Sequence, residues 1–277
     1  MGKRITSSIL IFTSLTGFLF ARIRCGVPCS DAAVPFLFLE EEDYTVEVKG
    51  ESQAVFDGLL DESLDAGVFS AETAEKILEV AGNKLTQICI SQCQNSYVIS
   101  TDSSLMFLSG LLGKTVSVIK GNGSEVESFR EVLENNQIPV NVKGGVVFDY
   151  DKDFDGLAIK MLGGSVKYAV LSEPYVTALI MKNPLIKRSI DLQEEKQQIF
   201  GKENFSEKNV VLVRSSLLKN EPETVEKFLL DLETAVNQVH GNAGKAGRLF
   251  SKKVSSNSGA LISRAVPYLN YRFIRTE

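Results

Sequence analysis

The stretch YAVLSEPYVTALIMKNPLIKRSIDLQEE, Tyr168–Glu195, opens with a short apolar run and changes character at Ser172. Tyr168–Leu171 is too short for a helix and shows no polar alternation. A strand buried on both faces of a sheet reads this way. Ser172-Glu173-Pro174 then supplies a capping hydroxyl, an acid and a proline, the ordinary chemistry of a helix start. Glu173–Met181 continues as the helix. A buried strand that passes through a polar turn into a helix is the building unit of α/β layers.

The same alternation spreads in both directions. Toward the N-terminus, Lys114–Ile119 (KTVSVI) reads as a strand and Lys120–Ser124 (KGNGS) as a glycine-bearing loop. Glu125–Glu134 and Phe154–Leu162 read as helices, and Asn141–Val147 as extended chain. Earlier still, Arg22–Val27, Tyr44–Lys49, Asp65–Phe69, Leu85–Ile90 and Ser96–Ser100 are strand candidates. Ala32–Glu41, Ser52–Leu60 and a segment capped at Ser70 are expected helices. The acidic run that follows, Glu40–Asp43, reads as a solvated helix end. Toward the C-terminus, NVVLVR from Asn209 is a strand. Glu223–Val239 is an amphipathic helix with Val225, Phe228, Leu229, Leu232, Val236 and Val239 on one stripe.

Composition narrows the function classes. The 277 residues are 44% hydrophobic and 23% charged, with 21 Gly and 7 Pro, which excludes disordered, collagenous and polytopic membrane chains. Thirty basic residues against 35 acidic ones give a net charge of −5, so nucleic acid is not an expected partner. Residues 1–21 place Lys3 and Arg4 before an uncharged, mostly apolar run that ends at Ala21, the layout of a secretory signal peptide. An uncleaved N-terminal anchor is the alternative. A lipid anchor on Cys25 suits the sequence less well, because Arg22-Ile23-Arg24 precedes it.

The quoted stretch resembles a segment of the solute-binding proteins of ABC importers. The group is the nitrate-, sulfonate-, taurine- or thiamine-pyrimidine-precursor-binding one with the type II periplasmic binding fold. The matching positions are Ala169, Val170, Leu171, Glu173, Pro174, Thr177, Lys182, Asn183, Pro184, Asp191 and Leu192. Leu64–Ala74, Leu112–Glu127 and Leu218–Leu230 agree in order, so the likeness runs from about Arg22 to the C-terminus. The chain departs from the group's pattern at Lys167 and Tyr168, where an acid is common, and at Ser172, where a proline is. The resemblance implies an α/β fold of two lobes, the second inserted into the first. Lobe one is expected over 22–98 and 210–277 and lobe two over 99–209, with crossings near Gln94–Thr101 and Ser206–Ser215. It implies a ligand held between the lobes.

Candidate ligand contacts follow from the strand-to-helix turns that would face such a cleft. They are Ser30, Phe69 and Ser70 from lobe one, Asn95 near the first crossing, and Gly123, Ser124, Glu173 and Tyr175 from lobe two. Backbone N–H groups at Gly123 and Ser124 suit a polar or anionic group. Glu173 suits an amine or ring N–H, and Tyr175 a stacking surface. Capping competes with each of these roles. Cys25, Cys29, Cys89 and Cys93 form two C-x₃-C pairs; burial explains Cys25 and Cys89, and a Cys29–Cys93 disulfide is an expectation to check. His240, at the end of a long helix, reads as a cation at the dipole's negative end. No metal or cofactor is expected.

The function expected is that of a non-enzymatic extracytoplasmic binding protein, monomeric, which delivers a small polar or aromatic nutrient to a membrane permease. The alternatives are an enzyme on the same fold, as in thiamine-pyrimidine or menaquinone biosynthesis, and an exported sensor without a transporter.

Overall fold

The computed structural model describes residues 22–39, 41–121, 123–202 and 204–276. The signal-peptide reading of residues 1–21 lies outside them. Eleven strands make two sheets among the described residues. The first contains β1 (Ile23–Pro28), β2 (Tyr44–Lys49), β3 (Ala66–Ser70), β4 (Leu85–Cys93), β10 (Glu207–Arg214) and β11 (Tyr271–Arg275). Their order is β11-β4-β10-β3-β1-β2. The second contains β5 (Ser96–Ser100), β6 (Thr115–Ile119), β7 (Val147–Asp151), β8 (Tyr168–Ser172) and β9 (Lys187–Asp191), in the order β7-β6-β8-β5-β9.

The two sheets repeat one plan. In each, three strands run parallel (β2, β1, β3 and β7, β6, β8), and the next strand inserts antiparallel. That inserted strand, β10 or β5, is the first one reached after the chain crosses from the other sheet. The chain leaves the first sheet after Cys93, enters the second at Ser96, and returns between Phe200 and Glu207. The sequence-based divisions after Val98 and after Asn209 therefore fall inside β5 and β10. Periodicity locates a strand, but only its ladder partners show which sheet it joins. Tyr97 and Val98 pair with Leu171 and Val170, and Glu207 and Asn209 with Cys93 and Gln92.

Helices cover both faces of each sheet. On the first, α1 (Ser52–Leu60) and α2 (Ala71–Ala81) bury Val55, Leu59, Ala74 and Ile77 with Phe69 and Leu85. On its other face α8 (Pro222–Gly241), α9 (Ala243–Lys253) and α10 (Gly259–Ala265) bury Phe228, Leu232, Phe250 and Ile262. The α8 stripe read from the sequence is buried as expected. On the second sheet α3 (Gly123–Asn135) and α6 (Leu192–Phe200) cover one face, with Phe129 and Leu133 fully buried. The other face carries α4 (Phe154–Leu162) and α5 (Tyr175–Lys182). The short α7 (Ser215–Asn220) follows β10.

Several expectations change. In place of the helix expected over Ala32–Glu41, the described residues form two 3-10 turns, Asp31–Ala33 and Pro35–Phe38, because Pro35 removes the amide an α-helix would need there. Within the acidic run, Glu41 pairs with Lys253 and Asp43 with Lys227, both at helices of the same lobe. The extended region after Asn141 starts its ladder only at Val147. All four cysteines are free, which removes the Cys29–Cys93 bridge. Cys29 is exposed with its thiol 3.7 Å from the Val254 carbonyl, whereas Cys93 is buried among the residues under α2. Burial pushes the Cys93 thiol up to about 11 and that of Cys89 to about 12, so both stay protonated and inert.

The contact between α9 and α10 depends on two glycines. A Cβ on Gly247 would lie 2.3 Å from the Gly259 carbonyl oxygen and 2.0 Å from Ser263 Oγ. The backbones approach closely because neither position carries a side chain. Gly247→Ala is expected to destabilise the protein by about 1–3 kcal/mol through forced separation of the helices, despite alanine's higher helix propensity. Urea unfolding measures it; a stabilised variant would show that α9 and α10 part without cost.

Candidate ligand-binding site between the lobes

The crossing segments are held by backbone pairing. Gln94 N–H donates to the Ser206 carbonyl at 2.8 Å, and Cys93 N–H to the Asn270 carbonyl at 3.1 Å. Asn270 Nδ2 returns a bond to the Gln94 carbonyl at 2.8 Å. Both crossings and the loop before β11 are thus tied together.

Beside them lies a cavity of about 280 Å³ lined by both lobes. Ser70, Ala71 and Glu72 line it from the start of α2, and Glu207 and Lys208 from the start of β10. Gly121, Ser124 and Glu125 come from the start of α3, Ser172 from the end of β8, and Gln94 from the first crossing. All the strand-to-helix turns in this set sit at strand C-terminal ends, where open α/β sheets generally bind ligands.

Lys208 organises the floor. Its Nζ donates to Asp31 Oδ2 at 3.2 Å, Asn95 Oδ1 at 3.3 Å and the Glu173 carbonyl at 3.1 Å. These acceptors belong to lobe one, the first crossing and lobe two, so one ammonium ties three parts of the molecule. Behind it, buried Gln92 donates from Nε2 to Asp31 Oδ2 at 3.0 Å and to the Leu269 carbonyl at 2.7 Å. The Asp31 carbonyl accepts from Tyr271 Oη at 2.7 Å.

A second tie lies deeper. Glu173 is 1% exposed and its Oε1 accepts from Arg188 Nε at 2.8 Å and from Arg188 Nη2. Glu173 Oε2 accepts from Thr177 N–H at 3.1 Å. The Arg188 guanidinium carbon lies 3.6 Å from the centre of the Tyr268 ring, a cation–π stack from lobe two onto lobe one.

The predicted contacts separate against this geometry. Ser70 and Ser124 meet across the cavity, with Gly123 exposed at the first position of α3 beside it. Ser70 also caps α2, its Oγ accepting from Thr73 N–H at 3.2 Å. Tyr175 is 43% exposed, with its ring centre 4.3 Å from that of Phe154. Burial, with Asp31, Asp155 and Glu125 near it, raises the Tyr175 pKa. Asn95 is buried and engaged by Lys208 and the Tyr268 carbonyl. Glu173 spends its carboxylate on Arg188 and Thr177, so its role is structural. Phe69 is 1% exposed in the core beneath α1 and α2 and does not reach the cavity. Side chains alternate along β3, which puts Phe69 on the core face one residue before the turn. Ser30 heads the first 3-10 turn and lies outside the cavity lining.

Lys208 and Arg188 escaped sequence reading. Lys208 stands one residue before the NVVLVR strand, next to an expected crossing, and that adjacency was the available signal. His240 Nε2 lies 2.8 Å from the Tyr271 carbonyl, which can only accept, so Nε2 carries a proton. Among the described residues no group of three or more His, Cys, Asp or Glu is placed to hold a metal ion. No helix among them is long and apolar enough to cross a membrane.

Two sheets of one plan, joined by two crossings with a cleft between them, define the two-lobed type II periplasmic binding protein fold. Solved structures carry the same fold. An ABC transporter protein from Parabacteroides distasonis superposes with a TM-score of 0.70 at 14% identity, covering 92% of this chain and 86% of that one. The periplasmic aliphatic sulphonate binding protein SsuA from Escherichia coli gives 0.65 at 12% identity, over 92% and 82%. The periplasmic nitrate-binding protein NrtA from Synechocystis PCC 6803 gives 0.55 at 10%, over 94% and 74%. No protein-family model and no curated protein matches the chain.

Proposed function

We propose that this protein is an extracytoplasmic solute-binding protein that captures a small polar or aromatic molecule between its lobes and hands it to a membrane permease of an ABC importer. The observation that carries the reading is the cavity itself. Residues of both lobes, Ser70 from one and Ser124 and Ser172 from the other, line it with Gln94 of the crossing. A ligand that touches both walls favours the closed arrangement over the open one, and closure is the signal a transporter can read. The solved neighbours described as an ABC transporter and as periplasmic sulphonate- and nitrate-binding proteins support the same reading. So does the signal-peptide layout of residues 1–21.

Binding is favoured over catalysis by what lines the cleft. A Ser–His pair does not form there, because the histidine bonds the Tyr271 carbonyl away from this cavity. Ser70 and Ser124, which line the cavity, with Gly123 next to Ser124 in the chain and the exposed Tyr175, are the contacts we assign to the ligand.

Native mass spectrometry of the purified protein is expected to show a co-purified small molecule. Ser124→Phe, which fills the cavity from the exposed start of α3, is expected to release it without lowering the melting temperature of the unliganded protein. The reading fails if the wild-type protein carries and binds no small molecule, or if Ser124→Phe leaves binding unchanged.

A further inference from the structure

The charges around the cleft select among ligands. In α/β folds a helix N-terminus pointed at a cleft is a ready anion site, since its free N–H groups and dipole favour negative charge. Two such ends, those of α2 and α3, reach this cavity. Each already carries an acid in its first turn, Glu72 in α2 and Glu125 in α3. Glu125 is 6% exposed, with Ser96 Oγ donating to its Oε1 at 2.7 Å. A buried carboxylate there answers the helix dipole from within the chain and repels a second negative charge.

The remaining cation gives an anion no better purchase. The three protons of an ammonium serve three acceptors, and Lys208 Nζ has Asp31, Asn95 and the Glu173 carbonyl within 3.3 Å. Recruiting it for a ligand would break the contacts that join the lobes. Glu207 adds a third carboxylate to the lining, exposed at the first residue of β10. Glu72 shares its charge with Lys76 at 2.7 Å on the solvent side of α2, and Lys76 lies outside the lining.

We propose that the interlobe cleft takes a small solute bearing a protonated nitrogen, an ammonium or amidinium, held by Glu125 and Glu207, rather than an anion. The proposal rests on the binding reading above and deepens it. It sets this chain apart from the neighbours described as sulphonate- and nitrate-binding. With Glu72 answered by Lys76, Glu125 and Glu207 against one committed ammonium leave the lining net negative. A cavity of about 280 Å³ limits the solute to a compact one, below the usual span of drug-sized pockets.

Isothermal titration of the full-length protein against two probe sets tests it. The cations are choline, putrescine, guanidine and benzamidine; the anions are nitrate, sulfate, methanesulfonate and benzoate. At least one cation is expected to bind, with Glu125→Gln and Glu207→Gln each weakening it about tenfold, the scale of one charge-assisted hydrogen bond. Glu207 is exposed, so its variant stays informative even if Glu125→Gln unfolds. Cation binding indifferent to the Glu207 substitution overturns the proposal. Binding of an anion with no cation bound overturns it too and leaves the solute-binding reading standing. Failure of every probe, together with no co-purified molecule in native mass spectra, removes both.

Discussion

Glu173→Ala is expected to lower the unfolding free energy by about 3–5 kcal/mol, the usual cost of breaking one partner out of a buried ion pair. The side chain is fully buried and accepts from both Arg188 and Thr177 N–H. Truncation leaves a guanidinium only 17% exposed with Thr177 Oγ1 and the Tyr268 and Tyr97 rings beside it. Glu173→Gln keeps the shape and some of the hydrogen bonds, so its loss should be smaller. Urea denaturation followed by circular dichroism reads both. A loss below about 1 kcal/mol for the alanine variant, the level of an exposed pair, would show that Arg188 finds solvent or another acceptor. Because Arg188 stacks on Tyr268 of the other lobe, the same substitution is expected to loosen the contact between the lobes, visible as a larger radius of gyration in small-angle scattering.

The second large effect lies at Asp65 in lobe one. Asp65 Oδ1 and Oδ2 accept from Arg24 at 2.9 and 2.8 Å, Oδ1 accepts from Arg214 at 2.6 Å, and Oδ2 from Arg24 N–H at 3.0 Å. Burial alone pushes this carboxyl upward. The hydrogen bonds from Arg24 and Arg214 outweigh burial and hold it below its usual value. A carboxyl depressed in the folded state contributes stability above its unfolded pKa of about 3.9. That stability is lost as pH falls through the folded value. The wild-type protein should therefore destabilise progressively below about pH 4. Asp65→Asn should flatten that limb and cost about 3–5 kcal/mol at neutral pH, where it leaves Arg214 half-paired in a buried setting. An unchanged acid limb in the asparagine variant would assign acid unfolding to other carboxylates.

Much of the architecture was legible residue by residue. Helix α1, strand β5 and helix α4 lie where apolar spacing put them, because burial on one face imposes a period that the sequence must carry. Strands β9 and β11 and helices α6, α9 and α10 were not singled out. The first two are mixed in polarity, LQEEKQQIF hides α6 behind a polar face, and α9 meets α10 through glycines, which no apolar period marks. The cleft was legible as a set of turns. Ser70, Gly123 and Ser124 sit at strand-to-helix junctions, and those junctions are local features.

The opening stretch shows where that legibility stops. Tyr168–Leu171 is a buried strand and Tyr175–Lys182 a helix, as local pattern requires. Yet Glu173 between them, read as a ligand contact or a helix-start acid, is the anchor of Arg188 from the next strand. Lys208, distant in sequence from Asp31, Asn95 and Glu173, meets all three. Backbone periodicity and capping act over a few residues, so a single sequence carries them openly. Which charge answers which, and therefore whether a carboxylate serves a ligand or the fold, depends on contacts between strands brought together by topology. Those pairings are written into distances alone, and so the strand-to-helix turns could be read from the chain while the sign of the cleft could not.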